Sequence, residues 1–480
     1  MSRVLVISHD YVRKSMSGPG IRSFELTRQL HLAGHEVVLA VPFSTDIGPQ
    51  PFPVESWQSG LYGGLRELGE GKDVIVVQGF VLEHNMGLRN LDARLVVDLY
   101  DPFHLEYIAS HAYDPIANAK PDWNSVLTCM IDQVRVGDFF ICASERQRDF
   151  WLGMLSGLNR VSPESYAPDP TLRSLIDLVP FGIPAEAPRQ QTPRIRGVIT
   201  GIEQDDFLLF WGGGIYNWLD PLTPIRAVAR VAAEHPRVKL FFLATRHPNP
   251  DVPEMAMASA AVRLAKELNV LDTHVFFSND WVPYEERGDW LLEADVGLST
   301  HREHMETRFS FRTRILDCFW AGLPVLCTSG DSLADEIERH ELGKTVAPED
   351  EDGLCQAIVA MLEDEARRKE QSSRVRQHAS QFTWQCAARP LVEYCNAPRP
   401  AADRLALTRR TDSVPVPLRS DDQRAFMGNW IAPVDPMPPL PLRVARVLRR
   451  EGPVGLAHRI QRRISGWLGA KDLDRSAPRL

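Results

Sequence analysis

Two glycine-bearing loops, and acidic and imidazole side chains at strand ends, are where this sequence offers chemistry. Residues 15–26, SMSGPGIRSFEL, set Gly18 and Gly20 between an apolar run and a helical pattern. Glycine lets backbone approach a ligand closely, and the N-terminus of a following helix favours negative charge. The pair lacks the third glycine of G-x-G-x-x-G, so a bound anion and a flexible turn with an exposed Arg22 both fit. Residues 211–218, WGGGIYNW, follow a strand-like run. Gly213 and Gly214, next to Tyr216 and Trp218, fit backbone laid against a phosphate or sugar with rings nearby, or a tight strand-to-helix turn. Residues 98–106, DLYDPFHLE, supply Asp98, Asp101 and His104. Asp101 stands just past a strand, where ligands of open sheets bind; an Asp-Pro turn cap is the other reading. His9 and Asp10, past the first strand, carry the same two readings.

A metal centre is not expected. Asp350-Glu-Asp352 and Asp472-Leu-Asp474 spell D-x-D, but the first opens a helical pattern, where N-capping accounts for it. No His/Cys/carboxylate cluster has ligand spacing in the sequence. The seven cysteines are odd in number, scattered and never in C-x-x-C spacing, which favours reduced thiols over a disulfide framework.

The elements that must position these groups alternate. Apolar runs at 3–8, 36–41, 73–78, 94–100 and 138–144 predict strands, with a helix over 21–34 after the first and an exit through DLVPFGIP (177–184). After a polar linker near 185–204, runs at 207–214, 238–245, 274–279, 295–300 and 323–328 predict a second set. Helical patterns over 222–234, 255–269, 284–294, 310–322 and 331–339 lie between them. Continuous apolar strands separated by helices predict parallel sheets covered on both faces. The fold expected is therefore α/β, two doubly wound Rossmann-like domains in tandem, over 1–187 and 196–383.

A formal net charge of −9 argues against a dedicated nucleic-acid binder. The first apolar run is too short for a signal-peptide core, and no later one reaches the ~18 residues of a membrane span. A cytoplasmic protein is expected.

The passage HREHMETRFSFRTRILDCFWAGLPVLCTSGD (301–331) resembles the donor-site element of the retaining glycosyltransferase family four, of GT-B fold. That family carries an acidic residue, seven intervening residues, and a second acid on a helix leading into AGLPV. ILDCFWAGLPVLCT places Asp317 at the second acid, whereas the first position holds Phe309. Residues 18–41, LVPFGIP, VAPEDEDGLCQAIVAMLED and QFTWQCAARPLVEYC are similar to further parts of the family, so the resemblance spans roughly 1–396. It implies that 384–396 is a crossover helix back to the first domain, and that the two domains face each other across a cleft. It further implies that Asp317 receives the ribose hydroxyls, and that Ser310, Phe311, Arg312 and Thr313 at the helix start meet the diphosphate. Backbone N–H groups and charge at a helix start suit that role; Arg314 has the same chemistry. Glu303 and Glu306 are candidates to replace the missing acid. The family's basic residues after the second glycine loop are missing too, with Arg246 and His247 as candidate replacements. Asp101 and His104 fall where the family places polar groups beside the reacting sugar.

As the resemblance implies, a sugar passes from a nucleotide-diphosphate sugar to a glycan or lipid-linked acceptor, with retention and without metal or other cofactor, as the cleft closes to exclude water. A sugar-nucleotide epimerase and a non-catalytic sugar-nucleotide-binding scaffold are the alternatives. Beyond this, residues 397–442 are Pro-rich and read as a linker. Within 443–480, residues 443–463 hold seven arginines against Glu451 alone, and 443–469 form a basic amphipathic helical pattern. That pattern fits an anionic membrane surface at the inner face of the plasma membrane, or docking on the acidic chain itself.

Overall fold

The structure, a computed structural model, describes residues 1–57, 64–112, 116–245, 247–249, 252, 255–279 and 281–404. The N-terminal lobe is a seven-stranded sheet of β1 (Arg3–Ile7), β2 (Glu36–Pro42), β3 (Val54–Trp57), β4 (Val74–Gln78), β5 (Arg94–Asp98), β6 (Phe139–Cys142) and β7 (Ile176–Leu178). Its order is β3-β2-β1-β4-β5-β6-β7, and every pairing is parallel. The second lobe is a six-stranded parallel sheet, in the order β10-β9-β8-β11-β12-β13. Its strands are β8 (Phe207–Trp211), β9 (Val238–Phe242), β10 (Val275–Phe277), β11 (Val296–Ser299), β12 (Val325–Thr328) and β13 (Gly343–Val346).

The central strands form because both faces are covered by helices. All five residues of β4, β8 and β9 are buried, which their mainly apolar sequences make favourable at ~25 cal/mol per Å² of apolar surface removed from water; Gln78 and Lys239 are the polar exceptions. The edge strands β3 and β13 are only partly buried and carry Glu55, Lys344 and Thr345. A hydrophobic run gives no sign of them, and they form by pairing to β2 and β12.

In each sheet the strand order reverses once, between β1 and β4 and between β8 and β11. Loops leaving the carboxyl ends of strands diverge at such a point and leave a crevice. The loops after β1 and β8 are the two glycine loops, so topology aims both at the cleft. The lobes are joined again at the far end. The Trp384–Asn396 helix packs on the N-terminal sheet, with Tyr394 stacked on Phe139 at 4.5 Å and Ser2 Oγ donating to the Cys395 carbonyl at 2.6 Å.

All seven cysteines are free. Among the described residues no helix is long and apolar enough to cross a membrane. Asp350 caps the Glu351–Glu363 helix by accepting from Gly353 N at 2.8 Å, and Asp352 pairs with Arg230; this D-x-D is structural. Asp472 and Asp474, the linker beyond 404 and the 443–480 tail lie outside the described residues.

Candidate active site

The first glycine loop is shaped mainly by packing. The helix it leads into begins at Gly18, three residues earlier than its apolar pattern, and runs to Leu32. A Cβ on Gly20 would lie 2.3 Å from the Tyr11 carbonyl oxygen, whereas one on Gly18 would meet nothing within 4 Å. Gly20 therefore permits close approach of helix and loop, and Gly18 alone borders open space at the helix start. Arg22 is not exposed. It is wholly buried, forks onto Asp98 at 2.5 and 3.0 Å, donates to the Val179 and Pro180 carbonyls, and lies over the Tyr100 ring. This bidentate pair fastens the first helix to the ends of β5 and β7, so Asp98 is a structural partner.

Asp101 is the more available carboxylate. It stands beyond β5, accepts from Gln78 at 3.2 Å, and leaves the following helix without a side-chain cap. Its pKa is raised to about 7, chiefly by burial and next by the charge of Asp98; Glu306 and Asp10 add to the rise and Arg22 opposes it. Glu106, one helical turn further on and unremarked in the sequence, is held well above the ordinary carboxylate range by burial and by Asp101 and Glu306. His104 turns away into an aromatic nest of Phe103, Phe150 and Trp151, stacked on Phe150 at 5.6 Å. Burial lowers its pKa to about 4 and its Nδ1 has no partner. It is a neutral ring packed among aromatic neighbours.

Across the cleft, Arg312 is not a free cation. It is buried and holds Glu306 with two bonds of 3.0 and 2.7 Å. The pair sits between the short Met305–Phe309 helix and the Thr313–Ala321 helix. Glu306, a candidate for the missing acid, is thereby fixed in place and faces Asp101 and Glu106 electrostatically. Ser310 is buried and donates to the Thr307 carbonyl. The Phe311 carbonyl accepts from Tyr100 Oη at 3.1 Å and the Phe309 carbonyl from Gln147 at 2.7 Å, so this segment is a seam between lobes. Phe309 itself packs on Phe150 at 4.7 Å, an apolar contact where the family has a carboxylate.

Arg314 is the cation left over. It is half-buried, donates to the Gly214 carbonyl at 2.9 Å, lies over the Trp211 ring at 4.7 Å, and has an unpartnered Nη1. No carboxylate pairs with it among the described residues. Burial, and then Arg312, lowers its pKa to about 9, so it keeps its proton at neutral pH. Gly213 beside it has φ +78°, a left-handed backbone, with open space where a side chain would be. Beyond Gly214, Tyr216 stacks on Trp218 at 4.8 Å, and a Cβ on Gly214 would press on the Tyr216 ring at 3.2 Å. The Thr313–Ala321 helix has no side-chain N-cap, so its first N–H groups remain for a ligand.

Asp317 lies on the same helix, about a third exposed, and accepts from Arg287 Nε at 3.1 Å through Oδ1. The Arg287 guanidinium lies against the rings of Tyr284 and Trp320 at 3.8 and 4.2 Å. Tyr284 Oη in turn donates to Glu25 on the N-terminal lobe at 3.2 Å. Asp10 is a further tie between lobes, accepting from Asn249 Nδ2 at 2.9 Å and from Ser17 Oγ. His9 and His247 both have pKa values lowered by burial; Arg246 lies outside the described residues. Glu106, Gln147 and Arg287 carried no sequence signal because their partners are far along the chain. The lobes are in direct contact, and Asp101, Glu106 and Glu306 interact electrostatically across their junction.

Two parallel Rossmann-like sheets whose switch points face each other define the GT-B class of protein. Within it, residues 207–364 match the family described as glycosyl transferases group 1. It is similar to a D-inositol 3-phosphate glycosyltransferase of Thermobispora bispora, 27% identical over 194 residues, 40% of this chain and 44% of that protein; it thus spans under half of that relative's length. In fold it is similar to sucrose-phosphate synthase of Thermosynechococcus elongatus (TM-score 0.59, 16% identity, 85% of this chain and all of that one). HepE of Anabaena in complex with UDP-glucose gives a TM-score of 0.58 at 13% identity, over 83% of this chain and all of that one.

Proposed function

We propose that this chain transfers a hexose-like group from a nucleotide-diphosphate sugar to a glycan or lipid-linked acceptor, with retention at the anomeric carbon and without a metal ion in the cleft. The observation that carries this reading is Arg314, a half-buried cation without a carboxylate partner, set on the Gly213–Gly214 turn beside an uncapped helix start. Charge and free N–H groups converge there on one point, which suits the charge that develops on a departing diphosphate. Asp317 then receives the ribose hydroxyls, and Asp101 meets the reacting sugars from the other lobe. We place the reaction in the cytoplasm, with the arginine-rich 443–469 segment as the means of holding it beside anionic lipid.

The test is nucleotide release from UDP-glucose, the compound in complex with HepE, with EDTA present and with glycan or lipid-linked acceptors added in turn. Release that rises with an acceptor, and that magnesium or manganese does not raise further, is expected. One specific observation favours the epimerase alternative: Asp101, Glu106 and Glu306 form the group of cleft carboxylates that elimination chemistry needs. Release independent of any acceptor, with an isomerised sugar among the products, would establish that reading instead.

Asp317→Ala is expected to weaken nucleoside-diphosphate binding by about 1–3 kcal/mol, the cost of losing hydrogen bonds to a charged group. Calorimetry on the folded variant measures it. Unchanged affinity would remove Asp317 from the donor site and leave it as the partner of Arg287 only.

A further inference from the structure

On the Ser332–His340 helix, Glu336 and His340 are four residues apart and so lie on one face. The Glu365–Ala379 helix brings His378 against that face from another part of the chain. Glu336 Oε2 is 3.4 Å from His340 Nε2 and 3.2 Å from His378 Nε2. Ligand atoms 2.0–2.1 Å from a tetrahedral ion stand about 3.3–3.4 Å from one another. Two edges of such a tetrahedron are therefore already formed, and one ligand atom from each of the three residues lies within 4.8 Å of the others.

The surroundings orient these groups. Glu336 accepts from Arg339 Nη1 at 2.5 Å through its other oxygen, Oε1, which leaves Oε2 turned to the two imidazoles. His378 is buried and set by the rings of Phe319, Phe382 and His340, the last at 4.3 Å. Its Nδ1 is 2.7 Å from the side-chain amide of Gln381. With that amide turned so that its oxygen faces the ring, Nδ1–H donates and Nε2 presents its lone pair, the usual support of a metal-bound histidine. His340 is partly exposed and opens the site to solvent.

We propose that Glu336, His340 and His378 form a binding site for one divalent transition-metal ion of the zinc class, with water as fourth ligand, fastening the Ser332–His340 helix to the Glu365–Ala379 helix. Two imidazoles and one carboxylate suit zinc better than the all-oxygen shells of magnesium or calcium. The site shares no residue with the cleft. Its helix does carry Asp335, which pairs with Arg146 of the N-terminal lobe, so a bound ion would steady one contact between lobes.

The experiment titrates Zn²⁺ into the full chain after chelation and dialysis, by calorimetry with metal analysis, and repeats it with His340→Ala and Glu336→Gln. His340 is partly exposed, and Glu336→Gln preserves shape, so at least one variant retains the fold, as circular dichroism checks. One zinc per chain is expected for the unaltered protein. Binding to this site should weaken at least about 10-fold in each folded variant. Zinc should raise the Tm of the unaltered protein and not that of the variants. No stoichiometric zinc, or equal affinity in a folded variant, overturns the proposal.

Discussion

Arg314→Met is expected to lower turnover by about 10²–10³-fold at saturating donor while leaving donor affinity nearly intact. A single preorganised donor aimed at developing charge is worth that much in kcat. The ground-state diphosphate already carries much of its charge; the transition state adds more at the departing oxygen, so the loss falls on kcat more than on KM. Methionine keeps the apolar stem against Trp211 and removes the bond to Gly214. Arg314→Lys keeps the charge without the planar fork and should fall between the two. Steady-state rates with varied donor decide it. A folded Arg314→Met protein within threefold of the original kcat would show that the leaving group is stabilised elsewhere.

Asp101→Asn is expected to lower kcat/KM by about 10²-fold or more and to abolish a pH dependence that the unaltered protein shows, as a positioned acid–base group does. With a pKa near 7, set by burial and by Asp98, Asp101 is ionised only above neutrality, so activity should rise with pH through about 7. Glu306 and Asp10 hold that value up further, whereas Arg22 opposes them. Linkage supplies a second readout. A carboxyl whose folded pKa exceeds its unfolded value binds its proton more tightly when folded, so its contribution to stability falls as pH rises from about 4 to about 7. Asp101→Asn should therefore raise Tm at pH 8 and leave it little changed at pH 4. A pH–rate profile unaltered by the substitution would sink the assignment.

The parts of the site legible in the sequence are those carried by local pattern. Apolar strands ending in glycine loops, and Asp317 five residues before the glycine of AGLPV, are local features of one segment each. Arg312 and Arg314 offer the same chemistry in the sequence, which cannot separate them. They are two residues apart on one helix start, and the difference is only which of them meets Glu306. His104 is a similar case. A histidine past a strand end reads as chemistry, and only packing against Phe150 and Trp151 shows it to be neutral and enclosed.

By itself the sequence determined the two parallel sheets, the place of both glycine loops at strand ends, and the end of the helix that carries Asp317. Each follows from short-range rules: parallel strands covered on both faces are mainly apolar, and glycine punctuates the turns that leave strands and helices. Tertiary structure alone decided which charges are paired. Arg22 finds Asp98 seventy-six residues away, the edge strands form only on their neighbours, and Glu336 and His340 meet His378 from another helix. Desolvation makes an unpaired buried charge costly. Arg22 and Arg312 therefore take the carboxylates that the packed chain brings within reach, and nothing local to either residue records which one that is.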